Sequence, residues 1–254
     1  MKLETIEAHA SGCANAAPTL HPSPGAMARY ELAIFDFDGT LADSFEFFIG
    51  AYNRLAAKYR LKPVRPGEVD PLRHRSPREI MAHVGLPRWK LPWVARDFVR
   101  LMRQQAGEVH LFGDIGRVLR QLDGQGVRLA VVTSNSVDNC RRVLGDDLSG
   151  LMACIDGGAS IFGKRRRIDR VLRKLGVAPG RAIYVGDQLT DADAARAAGV
   201  AFGAVCWGYG APQALGQARP EATFETVDAL ALLAGGACEG GRPPRFAGGE
   251  DGVE

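Results

Sequence analysis

Apolar residues recur along this chain in two patterns. Short unbroken runs, Leu32-Ala33-Ile34-Phe35, Leu129-Ala130-Val131-Val132 and Ala182-Ile183-Tyr184-Val185, have the length and composition of strands buried on both faces. Phe202-Gly203-Ala204-Val205-Cys206 and Met152-Ala153-Cys154-Ile155 are weaker runs of the same kind. Between the runs the period changes to that of a helix with one apolar face. Ile115, Val118, Leu119 and Leu122 mark a helix over 114–123, and Ile168, Val171, Leu172 and Leu175 mark another over 166–175. Buried strands alternating with amphipathic helices predict an α/β fold built on a doubly wound parallel sheet.

One stretch interrupts the alternation. From Phe45 to Val109 the pattern is helical only, with stripes at Phe45, Phe48, Ile49, Tyr52, Leu55 and Tyr59 and at Val94, Phe98, Leu101 and Met102. We therefore expect a small all-helical cap domain over 45–109, inserted into a core of residues 29–44 and 110–234, with a lid as its use. Residues 1–28, rich in Ala, Ser and Pro, and residues 235–254, with Gly-Gly pairs and Arg242-Pro243-Pro244-Arg245, are expected to be disordered tails.

Polar residues that interrupt the apolar pattern carry the chemistry. Asp36-Phe37-Asp38-Gly39-Thr40 directly follows the first strand run. Carboxylates two residues apart on extended chain point the same way, and the glycine permits a sharp turn. Two neighbouring carboxylates repel, so the pair implies a hard metal, an acid/base couple, or both. Thr133-Ser134-Asn135 follows the strand run 129–132, Lys164 precedes the helix over 166–175, and Gly186-Asp187-Gln188-Leu189-Thr190-Asp191 follows the run 182–185. Ligands of open α/β sheets bind at these carboxyl-terminal strand ends.

Taken in order, these segments resemble the four motifs of the haloacid dehalogenase-like hydrolase superfamily: DxDGT, a Thr or Ser after a later strand, a Lys ahead of a helix, and GDxxxD. The resemblance spans roughly residues 30–234, and Gly-Thr-Leu-Ala-Asp-Ser and Tyr-Val-Gly-Asp are similar to the phosphoglycolate phosphatase-type subgroup. It implies a Mg²⁺-dependent phosphatase for a small phosphorylated metabolite, with phosphoglycolate as the leading candidate. Asp36 would be the nucleophile and Asp38 the general acid and base. Gly39, Thr133, Ser134, Asn135 and Lys164 would bind the phosphoryl group, with Thr133 and Lys164 also serving the chemistry. Mg²⁺ would be held by Asp36, Asp187 and the backbone carbonyl of Asp38, with Asp191 acting through water or by holding Lys164. Superfamily members that attack carbon lack the second Asp of the first motif, so Asp38 argues for phosphate esters. A phosphomutase of the β-phosphoglucomutase type shares the motifs and the cap position. A non-catalytic regulatory protein on the same scaffold is the third reading, disfavoured by the intact Asp36, Asp38, Lys164 and Asp187 set.

Substrate choice is expected to lie in the cap. Arg73, His74, Arg75, Ser76 and Arg78 form a basic turn, from which Arg75 is the candidate for a second anionic group of the substrate. Trp89 and Trp93 are expected in the cap's apolar core.

Composition narrows the partners. A formal charge of +3 over 254 residues, with Lys and Arg scattered, excludes the electrostatic footprint of a nucleic-acid binder. No apolar stretch reaches membrane-spanning length, and Glu4, Glu7 and His9 break the N-terminal pattern, so no membrane partner is expected. Five cysteines without CxxC spacing fit neither a zinc site nor a disulfide framework and point to a reducing cytoplasm; a monomer or homodimer is expected.

Overall fold

The computed structural model describes residues 30–68, 71–72, 77–105, 109–158, 163–210 and 212–235. The basic turn with His74 and Arg75, and the expected tails apart from Gly235, lie outside the described residues. A six-stranded parallel sheet organises the fold. Its strands are β1 (Leu32–Phe35), β4 (Arg128–Val132), β5 (Met152–Asp156), β6 (Ala182–Gly186), β7 (Ala201–Val205) and β8 (Ala222–Phe224), in the order β5-β4-β1-β6-β7-β8. The order grows one way from β1 through β4 to β5, then restarts beside β1 at β6 and grows the other way. The switch point lies between β1 and β6, where such sheets open a crevice at their carboxyl ends.

Alternation along β1 assigns the two faces. Ala33, Phe35 and Phe37 enter one apolar cluster, with Ile115, Val118, Leu119 and Leu122 of the helix Ile115–Gly124 and with Leu144 and Leu148 of Val137–Leu151. Leu32 and Ile34 enter the other, with Ile168, Val171 and Leu172 of Lys164–Leu175 and with Ala192 and Ala195 of Leu189–Ala198. Helices therefore cover both faces, as the unbroken apolar strands require. Asp36 and Asp38 continue the parity of Leu32 and Ile34.

The chain leaves the sheet for the helical stretch and re-enters it through a two-residue antiparallel ribbon, β2 (Ala42–Asp43) with β3 (His110–Leu111). Between these lie α1 (Phe45–Tyr59), α2 (Pro77–His83) and α3 (Leu91–Gln105). They hold apolar clusters of their own, around Leu55, Ala56, Leu61 and Val94 and around Val64, Leu72 and Val84. A buried carboxylate also ties α1 to α3, Asp97 accepting from Tyr59 Oη at 2.8 Å and Lys58 Nζ at 2.5 Å. Trp89 and Trp93 correct the expectation of an indole core. They are 67% and 50% exposed and pack edge-to-face on each other, because Leu55, Leu61 and Val94 already fill the α1–α3 seam.

Lys164 also differs from its expected place ahead of a helix: it is the first helical residue, preceded by Gly163 at the N-cap. A lysine there sits at the unfavourable end of the helix dipole, and two buried carboxylates described below compensate it. Cys140 and Cys154 are buried free thiols, and no helix among the described residues is long and apolar enough to cross a membrane.

Candidate active site

The site is assembled by the turn that follows β1. Asp36 stays in sheet register, its N–H donating to the Val185 carbonyl at 2.8 Å. The next residues then coil, the amides of Leu41 and Ala42 both reaching the Phe37 carbonyl at 2.9 Å. Gly39 sits in this coil at φ +80°, and a Cβ there would lie 2.5 Å from Asp187 Oδ2. Only glycine meets both demands, a left-handed backbone and no side chain. Thr40 Oγ1 in turn donates to Asp187 Oδ1 at 3.3 Å.

At the sheet's carboxyl edge, β1, β6 and the starts of Lys164–Leu175 and Leu189–Ala198 bring Asp36, Tyr184, Asp187, Lys164 and Asp191 together. Lys164 Nζ donates to Asp36 Oδ2 at 2.6 Å and to Asp191 Oδ1 at 2.5 Å, and all three side chains are almost wholly buried. Asp191 has its other oxygen on the Gln188 amide at 3.0 Å, and Tyr184 Oη reaches Asp191 Oδ1 at 3.4 Å and the Val132 carbonyl at 3.0 Å. Asp187 is fully buried and accepts from the Tyr209 amide at 2.8 Å.

This arrangement has more negative charge than one ammonium can balance. Burial pushes the Asp36 carboxyl up to about 7; Lys164 opposes the rise, and Asp191 and Asp38 add to it. Burial, with Asp191 and Asp36 adding repulsion, holds the Asp187 carboxyl well above the usual carboxylate range. For Lys164 burial acts downward, but Asp191 and Asp36 prevail and keep the ammonium charged well beyond its ordinary range. Carboxylate oxygens of Asp36, Asp187 and Asp191 all lie within 4.8 Å of one another. An oxygen-only, buried set with surplus negative charge fits a small hard dication. The Asp38 carboxylate is not part of that set.

Asp38 faces a separate group of donors. Ser44 Oγ donates to Asp38 Oδ1 at 2.7 Å, and Asn135 Nδ2 donates to Asp38 Oδ2 at 3.1 Å. Burial raises the Asp38 pKa, and the bonds from Ser44 and Asn135 oppose the rise. Asn135 is itself fixed, its amide donating to Thr133 Oγ1 at 3.0 Å and its side-chain oxygen accepting from Asn139 Nδ2 at 3.2 Å. The buried Thr133 directly follows β4, its N–H on the Asp156 carbonyl at 3.1 Å, whereas Ser134 is exposed in the loop.

Thus Asp36, Asp38, Gly39, Thr133, Asn135, Lys164, Asp187 and Asp191 meet at one end of the sheet, and Ser134 borders them. Several members were not anticipated from sequence. Ser44 lies in Gly-Thr-Leu-Ala-Asp-Ser but reads as an ordinary helix cap. Tyr209 stands between two glycines just beyond a strand, which was the available signal. Arg167 was hidden in the run Lys164-Arg165-Arg166-Arg167, which reads as a solvated helix start. It is buried, donating to the carbonyls of Thr133 at 3.0 Å and Gly158 at 2.8 Å.

Residues 33–205 match the family model for haloacid dehalogenase-like hydrolases. A phosphoglycolate phosphatase of Synechococcus elongatus is 32% identical over 202 residues, covering 78% of this chain and 93% of that protein. The tyrosine-protein kinase PtkA of Mycobacterium tuberculosis is also 32% identical, over 74% of this chain and 65% of that protein. A haloacid dehalogenase-like family hydrolase from Streptococcus pneumoniae superposes with a TM-score of 0.71 over 82% of this chain and 100% of that one; at 20% identity it speaks for the fold alone.

Proposed function

Because the chain belongs to the haloacid dehalogenase-like hydrolase family, we propose that it is a phosphatase that cleaves a small phosphorylated metabolite through an aspartyl-phosphate on Asp36. The observation that carries this reading is the buried Asp36–Lys164–Asp191 chain beside Asp187. The lysine favours the ionised, nucleophilic form of Asp36 against the burial that favours its neutral form.

In the first step Asp36 forms a bond to phosphorus as the ester P–O bond breaks, and Asp38 gives its proton to the departing oxygen. In the second, water attacks the phosphorus, Asp38 takes up the water's proton, and the acyl-phosphate bond breaks to restore the Asp36 carboxylate. Ser44 and Asn135 aim Asp38, and Thr133 with Asn135 lines the phosphoryl pocket. A divalent cation, Mg²⁺ by the donor chemistry, would be held by Asp36 and Asp187 and would supply charge neutralisation of the phosphoryl oxygens. Asp191 is committed to Lys164 and the Gln188 amide, so its part is to hold the lysine.

The phosphoglycolate phosphatase of Synechococcus elongatus makes phosphoglycolate the first substrate to try. The test is an array of phosphorylated metabolites, assayed for released inorganic phosphate with and without Mg²⁺. Metal-dependent phosphate release is the expected outcome. Transfer of the phosphoryl group to a second sugar hydroxyl or to a protein tyrosine, with no free phosphate, would replace this reading by a mutase or a kinase.

A further inference from the structure

The loop that follows β7, residues 206–210, lies across the catalytic turn. Trp207 Nε1 donates to the Thr40 carbonyl at 3.1 Å. A Cβ on Gly208 would lie 2.2 Å from the Asp187 Cβ and 2.5 Å from the Gly39 carbonyl oxygen, so the loop backbone rests directly on both. Tyr209 then reaches in three directions at once. Its amide donates to Asp187 Oδ2, its hydroxyl meets Ser44, and its ring packs on Phe45 and Phe48 of α1, with centroids 5.0 and 6.3 Å away.

Hydrogen counting orients the polar part. Ser44 has one hydroxyl hydrogen, which goes to Asp38 Oδ1 at 2.7 Å. The 2.7 Å contact between Ser44 Oγ and Tyr209 Oη is therefore a bond donated by the phenol, which also accepts the Ser44 N–H at 2.9 Å. A serine immediately before a helix ordinarily caps it with its side chain. Here Ser44 precedes α1, is fully buried, and makes no side-chain cap. Its hydroxyl serves Asp38 and Tyr209 instead.

Building on the phosphatase reading, the geometry points to Tyr209 as a positioning residue for the reaction: its phenol fixes Asp38 through Ser44, its amide fixes Asp187, and its ring seats the start of α1. The orientation of the acid/base carboxyl is thereby coupled to the place where the inserted helices begin. A ring without the hydroxyl keeps the packing and the backbone bond but loses the bridge to Ser44.

Tyr209→Phe is therefore expected to lower kcat about tenfold, the size of one lost positioning hydrogen bond, with KM within about twofold and a cooperative unfolding transition retained at a modestly lower midpoint, because the buried Ser44 N–H loses its acceptor. Ser44→Ala should have a similar effect, and the double variant should be no slower than the slower single, because both interrupt one chain. Exchange of the Ser44 amide proton, followed by NMR, should quicken in Tyr209→Phe whether or not a substrate is known. Wild-type kcat in Tyr209→Phe, or losses that multiply in the double variant, would overturn the positioning role and leave the phosphatase reading intact. A wild-type protein that releases no phosphate would remove the phosphatase reading, and the Ser44 amide then decides the bridge alone: unchanged exchange overturns it.

Discussion

Asp36 and Lys164 bear on stability in opposite senses, because burial opposes a charged Asp36 and the buried ammonium supports it. A carboxyl held at about 7 in the folded protein but near 4 when unfolded binds its proton more tightly in the native state. Its contribution is therefore full at low pH and is lost as pH rises from about 4 to about 7. The metal-free protein is expected to melt at a lower temperature at pH about 7.5 than at pH about 5, and Mg²⁺ should raise the melting temperature more at the higher pH. Asp36→Asn should abolish turnover, since an amide forms no acyl-phosphate, while leaving the metal-free protein at least as stable near neutral pH because the neutral form is the one burial favours. Calorimetry across pH checks the first expectation, and phosphate release with urea unfolding checks the second. Lys164→Ala acts in the opposite sense. It strips the cation from two buried carboxylates, and a loss of about 3–5 kcal/mol in urea unfolding is expected, the range for a broken buried pair.

Elements long enough to show a period were legible from the chain, and those defined by one or two contacts were not. β1, β4 and β6 emerged as apolar runs because both their faces are covered, and the helices at 115–124 and 164–175 because one face is buried. The ribbon of Ala42–Asp43 with His110–Leu111 and the strand Ala222–Phe224 are too short to carry a period and exist through pairing with distant segments. The helix 164–175 illustrates both sides. Its apolar stripe was plain, but the charged run at its start concealed that Arg167 faces inward, one turn after Lys164. Arg167 holds the Thr133 carbonyl and pairs with Asp156 at 3.5 Å, so it joins the chain just beyond β4 to the end of β5. Arg167→Met should keep the aliphatic packing but lose these charge-assisted bonds, destabilising the fold by about 1.5–3 kcal/mol. It should raise KM more than it lowers kcat. An unchanged KM with full stability would show that Thr133 is held without it.

At the scale of the molecule, the sequence displayed the acidic and basic groups of the site but not the loop that locks them. Asp36, Thr133, Lys164 and Asp187 were visible because each ends or begins a periodic element, and a doubly wound sheet gathers such ends at its switch point. Tyr209 and Ser44 meet across 165 residues of chain, a contact that only the assembled fold creates. Assembly also concentrates charge: three buried carboxylates share a space within 4.8 Å, with one ammonium among them. A dication would relieve that repulsion, so activity should vanish in EDTA and return with Mg²⁺. Ca²⁺ should bind and yet inhibit. It takes more oxygen ligands at longer distances than Mg²⁺, so both oxygens of Asp36 can be drawn to it, and the carboxylate then loses its in-line aim at phosphorus. Titrating each ion against thermal stability and phosphate release together separates binding from activity. Stabilisation by both ions with turnover from Mg²⁺ alone is the expected result, and full activity after exhaustive chelation would rule out a metal role for Asp36 and Asp187.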